Sequence, residues 1–94
     1  MKIYIAGPIS DYEDYNREAF MIAEEKLKRV PGDIVLNPAS LPTGLDEHEY
    51  MDICLAMLRC CDAIYLLNGW RASAGASAEY ALAYKLGLKI INQS

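Results

Sequence analysis

Residues 63–91, "AIYLLNGWRASAGASAEYALAYKLGLKII", decide the fold. The opening "AIYLL" (63–67) is apolar throughout and is followed by Asn68-Gly69, so it reads as a short strand covered on both faces. Ser73 then offers a hydroxyl as N-cap for a helix that runs to Leu86, where Gly87 is a good C-terminal glycine. "LKII" (88–91) closes as a further strand. A strand, a helix and a strand in this order make a right-handed crossover, which returns the chain parallel to itself.

The pattern upstream repeats that unit. "KIYIA" (2–6) is a β-branched and aromatic strand that stops at Gly7-Pro8. From Glu13 to Val30 the apolar residues Ala19, Phe20, Ala23, Leu27 and Val30 recur at helical steps, ended by Pro31-Gly32. "DIVLNP" (33–38) predicts a second strand, cut off by Pro38, and "ASLPTGLDEHEY" (39–50) a long polar loop. Met51, Cys54, Leu55 and Leu58 mark another helix from Glu47 to Cys60, with Asp46 as its cap. The order βαβαβαβ predicts an α/β fold: a small Rossmann-like (flavodoxin-like) three-layer sandwich with a four-stranded parallel sheet. The 94 residues suffice for one domain, and no repeat or linker divides them.

Composition narrows the function classes. With 53% hydrophobic and 23% charged residues the chain is expected to fold. A net charge of −4 without a cluster of lysine and arginine argues against duplex nucleic acid as partner. No apolar run reaches the ~18–20 residues needed to cross a bilayer, and the N-terminus lacks a signal peptide's apolar region, so no membrane and a cytoplasmic location are expected. Cys54, Cys60 and Cys61 form no C-x-x-C pattern, and His48 is the single histidine. The cysteines are therefore expected to be reduced and buried on a helix, His48 to lie on the surface, and no metal or other cofactor to be bound.

In an open parallel sheet, ligands bind at the carboxyl ends of the strands. Here that means the loops "GPISDYEDY" (7–15), "NPASLPTGLDEHEY" (37–50) and "NGWRASAG" (68–75). Gly75, Glu79 and Ala83 lie four residues apart on one helical stripe, with Ser73 at its mouth. Small neighbours leave room for a ligand beside Glu79, but an alanine-rich helix with a solvated glutamate gives the same spacing. Asn37, at the end of the second strand, is expected to face the same crevice, and Asp11 reads either as an ordinary loop residue or as a carboxylate that accepts hydrogen bonds from a ligand. Trp70 and Arg71 suit either a base and a phosphate or a second subunit.

Three stretches resemble the nucleoside 2-deoxyribosyltransferase superfamily, which includes the 2′-deoxynucleoside 5′-monophosphate N-glycosidases. They are "IYIAGPIS" (3–10), "CCDAIYLLNGW" (60–70) and "SAGASAEYALAYKLGLKII" (73–91), and the resemblance that they carry runs in order along nearly the whole chain. The chain also resembles a small phage-type branch of that superfamily. The resemblance implies a single domain of this type over residues 1–94, with Glu79 as the nucleophile that attacks the anomeric carbon. Tyr4 would belong to the catalytic set, Gly7, Pro8 and Ile9 would border the nucleoside pocket, and Ser73 with Gly75 would hold the 5′ end or a 5′-phosphate. Serine at position 73 resembles the monophosphate hydrolases more than the transferases.

The family usually carries a second carboxylate eight residues before the acid that opens the third strand, and counting back from Asp62 reaches Cys54. The nearest carboxylate, Asp52, is the remaining candidate for the general acid, although it lies about 200° away around a helix. The resemblance also implies subunits that complete each other's sites, with Asn92 or Gln93 reaching a partner's pocket in a homo-oligomer. Two functions are therefore expected as alternatives. One is cleavage or transfer at the N-glycosidic bond of a deoxynucleoside or its 5′-monophosphate. The other is a non-catalytic module that binds a nucleotide or nucleotide-derived signal in the same pocket.

Overall fold

In a computed structural model, which describes residues 1–9 and 12–93, four strands form one sheet. They are β1 (Lys2–Ala6), β2 (Ile34–Leu36), β3 (Ala63–Leu66) and β4 (Lys89–Asn92), all parallel, in the order β2-β1-β3-β4. The helices are α1 (Arg17–Leu27), α2 (Glu47–Arg59) and α3 (Ala74–Leu86). The expected α/β sandwich is thus the fold.

Alternation along the strands builds the layers, because successive side chains leave opposite faces of a sheet. Ile3 and Ile5 of β1 pack with Tyr65 and Leu67 against Phe20 and Ala23 of α1. Tyr4 and Ala6 face the other way, with Ile64 and Leu66, onto Cys54 and Leu58 of α2 and Ala76 and Ala83 of α3. One face therefore carries α1 and the other carries α2 and α3. β3 is buried at every position, as an apolar central strand should be. From β1 the chain steps outward to β2, then returns past β1 to β3, so the switch point lies between the carboxyl ends of β1 and β3.

Local chemistry moved several boundaries. The first helix was expected over 13–30, but Glu13–Asn16 form a tight 3-10 turn in which Asp14, Tyr15 and Asn16 all have positive φ (49°, 54° and 58°). Regular helix starts only at Arg17. Hydrophobic spacing is blind to this reversal, whereas the Asn16 side chain supports it by donating to the Pro8 carbonyl at 2.9 Å. β2 is three residues long rather than six, because Asn37 caps a new turn at Pro38–Ser40, its Oδ1 accepting the Ala39 N–H at 2.8 Å. A further short turn, Trp70–Ala72, precedes α3.

The caps of α3 are those expected: Ser73 Oγ accepts the Ala76 N–H at 3.2 Å, and Gly87 ends the helix at φ 77°. Asp46 caps α2, its own N–H held by Glu49 Oε1 at 2.7 Å. His48 is exposed and all three thiols are free, but only Cys54 and Cys61 are buried. Cys60 corrects the expectation of buried cysteines, since α2 ends at Arg59 and its C-cap faces solvent. Among the described residues, no helix is long and apolar enough to cross a membrane.

Candidate active site

Small residues bring α3 close to the sheet, and the helical repeat carries Glu79 onto the same packed face as Ala76 and Ala83. Glu79 is consequently only 7% exposed rather than solvated. Strand alternation sends Tyr4 of β1 to that face too, fully buried, where its hydroxyl donates to Glu79 Oε2 at 2.6 Å. Burial pushes the Glu79 carboxyl up to about 7, with the Tyr4 hydrogen bond pulling the other way. Burial also raises the Tyr4 phenol well above its ordinary value, helped by the charge of Glu79 and by neighbouring Cys54. Tyr4 thus keeps its proton and remains a donor while Glu79 changes state near neutral pH, where a carboxyl group is suited to proton transfer or, when ionised, to nucleophilic attack.

Glu79 lines a cavity of about 470 Å³ at the carboxyl ends of the strands. Gly7, Ile9, Ser73 and Gly75 line it as well, so four of the residues expected to bind a ligand meet the expected nucleophile. Gly7 has a packing reason besides: a β carbon there would lie 2.8 Å from Leu67 Cβ, so only glycine lets the loop pass β3 so closely.

The other candidates lie elsewhere. Pro8 is buried behind the wall, its carbonyl accepting from Asn16. Asn37 is buried too, but its side chain donates to the Phe20 carbonyl at 3.4 Å and accepts from Ala39, tying strand to turn. Trp70 is 9% exposed and belongs to the core, with the Tyr80 ring 4.7 Å away and the Arg71 guanidinium 4.8 Å from its centroid. Asp52 is exposed and borders a separate apolar groove with Leu36, Ile53 and Met57. Gln93 is bound within its own chain, Oε1 accepting the Asn68 N–H at 2.8 Å. Asp11 lies outside the described residues.

Cys54 lines the cavity where the second carboxylate was sought, and burial raises its thiol pKa, so it stays neutral. The loop after β2 was expected to border the site, but not the individual residues there that wall the cavity, among them Leu41, Pro42 and Tyr50. The Tyr50 hydroxyl donates to the Pro42 carbonyl at 2.6 Å, pinning that loop to α2. Tyr15 belongs to the loop after β1 that was expected to border the site, although not as an individual residue, whereas Arg17 was missed altogether, since nothing in a helix's polar face marks which charge will border a cavity. Among the described residues, one group has metal-type ligands close together, Asp46, His48 and Glu49, and all three are exposed and outside the cavity wall.

Comparison with known families matches residues 1–92 to the family described as Domain of unknown function (DUF4406). No curated protein matches the chain.

Proposed function

The chain belongs to the DUF4406 family, whose description assigns no chemistry, and we propose from the site itself that the cavity takes a deoxynucleoside or its 5′-monophosphate and that Glu79 acts on its N-glycosidic bond. The observation that carries this reading is the Tyr4–Glu79 hydrogen bond of 2.6 Å beside a ligand-sized cavity, with Ser73 and Gly75 in the same wall. It agrees with the resemblance of the residue pattern to that of the nucleoside 2-deoxyribosyltransferase superfamily. A buried carboxyl whose pKa stands at about 7 is ionised in a substantial fraction of molecules at neutral pH.

In the proposed reaction an ionised Glu79 oxygen attacks the anomeric carbon and the bond from that carbon to the base nitrogen breaks. The base leaves with the bonding electron pair and takes up a proton from water, leaving a glycosyl ester on Glu79. Water, or a second base, then displaces the carboxylate and takes the sugar. Tyr4 holds the attacking carboxylate in position. The same reading makes the partner a small nucleoside or nucleotide, in a cytoplasmic homodimer of the phage-type branch, a homodimer being the simplest closed assembly.

Incubation with a panel of deoxynucleosides and 5′-monophosphates, followed by chromatography of free base, tests it. Base release is expected, abolished in Glu79→Ala and slowed roughly 10- to 100-fold in Tyr4→Phe, which loses one hydrogen bond to a charged group. Release that persists in Glu79→Ala would sink the assignment. A second reading has its own support: Cys54, a neutral thiol, stands where a proton donor for the departing base was sought. On that reading the cavity binds a nucleotide without turnover, and calorimetry would record affinity while no base appears.

A further inference from the structure

The most strained backbone among the described residues borders the same cavity. Asp14, Tyr15 and Asn16 are three consecutive non-glycine residues in the left-handed region. Each such residue costs on the order of 1–2 kcal/mol, less for Asn and Asp, whose short polar side chains tolerate it better. A helix continued back to Glu13 would have avoided that cost. Instead the turn is anchored at its carboxyl end, by Asn16 Nδ2 donating to the Pro8 carbonyl at 2.9 Å and by Arg17 Nη1 donating to the Ala39 carbonyl at 3.0 Å. Its consequence is that Tyr15 and Arg17 line the cavity.

Arg17 is the one cationic side chain among the described lining residues, against two carboxylates, Glu47 and Glu79. A guanidinium has five N–H donors, of which the Ala39 carbonyl takes one. The Asp14 carboxylate is 3.9 Å from Nε, beyond hydrogen-bonding distance, and its side chain is 73% exposed, so it competes weakly for the remaining donors. Arg17 also rises from the α1 face of the sheet, whereas Glu79 comes from the α3 face. A ligand that touches both must span the carboxyl edge of the sheet.

We propose that Arg17 is the anion-binding residue of this cavity, held there by the left-handed turn, and that the cavity therefore selects a phosphate monoester over the corresponding neutral nucleoside. A planar, permanently charged fork matches the oxygens of a phosphate, and without it two carboxylates in a chain of net charge −4 would repel one. The choice of nucleotide as probe rests on the function proposed above. The anion contact lies on the α1 side, whereas the resemblance points to Ser73 and Gly75 on the α3 side.

The test is calorimetry in a Glu79→Gln background, where turnover cannot confuse binding, with the four deoxynucleosides and their 5′-monophosphates. At least one monophosphate should bind about tenfold or more tightly than its nucleoside. Arg17→Gln should erase the ratio between the two affinities, and Arg17→Lys, which keeps the charge without the fork, should fall between. If Arg17→Gln unfolds, as circular dichroism would reveal, Arg17→Lys decides. A preference that survives loss of Arg17 overturns the proposal and moves the phosphate to the Ser73 end; so does the absence of any preference. Failure of the glycosidic reading looks different, as an Arg17-dependent preference in that background while the protein with Glu79 intact releases no base. Protein that binds neither nucleosides nor monophosphates overturns both.

Discussion

Glu79 owes its chemistry to its surroundings. In water its carboxyl would titrate at its ordinary 4.5, but in the α3–β1 interface it is pushed up to about 7 because burial disfavours the charge. A pKa raised by folding means that the folded state holds its proton more tightly than the unfolded chain does. The associated stability is fully present below pH 4.5 and is lost as pH rises through 7. Between those values the unfolded chain has released the proton and the native state retains it, so stability falls by about 3 kcal/mol in total. Glu79→Gln, always neutral, should lack this slope. Urea titrations from pH 4 to 8 should therefore show the variant gaining on the wild type by about that amount as pH rises, and parallel curves would mean the carboxyl is not buried as described.

At the scale of elements, the turn before α1 is the least conventional piece of the chain. Asn16 satisfies two demands at once, tolerating φ of 58° and donating to the Pro8 carbonyl. Asn16→Ala loses both and should lower stability by about 1–2 kcal/mol, whereas Asn16→Gly loses only the hydrogen bond and should lower it by about half as much. Thermal denaturation of the two variants makes the comparison. If alanine is tolerated as well as glycine, the left-handed turn is not part of the native state. Asn37 at the end of β2 makes a parallel point: a polar residue in a strand-end position, read as a ligand contact, is the cap that starts the next turn.

For the whole molecule, the cavity exists because loops from both faces of the sheet converge on the switch point between β1 and β3. A ligand there touches residues from α1, α2, α3 and the intervening loops, so it stabilises the native state as a unit. At a concentration 100 times its Kd, a bound monophosphate should add about 2.7 kcal/mol. In a domain of this size that raises Tm by on the order of 10 °C or more. Differential scanning fluorimetry across nucleosides, monophosphates and inorganic phosphate would rank the ligands, and a flat response to all of them would count against any nucleotide site.

The order of strands and helices, the parallel sheet and the caps at Ser73, Asp46 and Gly87 were all legible in the amino-acid sequence, because each depends on periodicity or on one residue's relation to its nearest neighbours. Glu79 and Tyr4 could be singled out through a family resemblance, but spacing alone favoured a Glu79 that faces water. Tertiary structure decided that Tyr4, 75 residues away, donates to it, because that contact needs the register of β1 beside β3 and the close seat of α3 together. It likewise put Trp70 in the core, turned Asp52 outward and brought Arg17 to the cavity wall. Local spacing specifies which face of an element a side chain occupies; what that face meets is set only when distant elements pack.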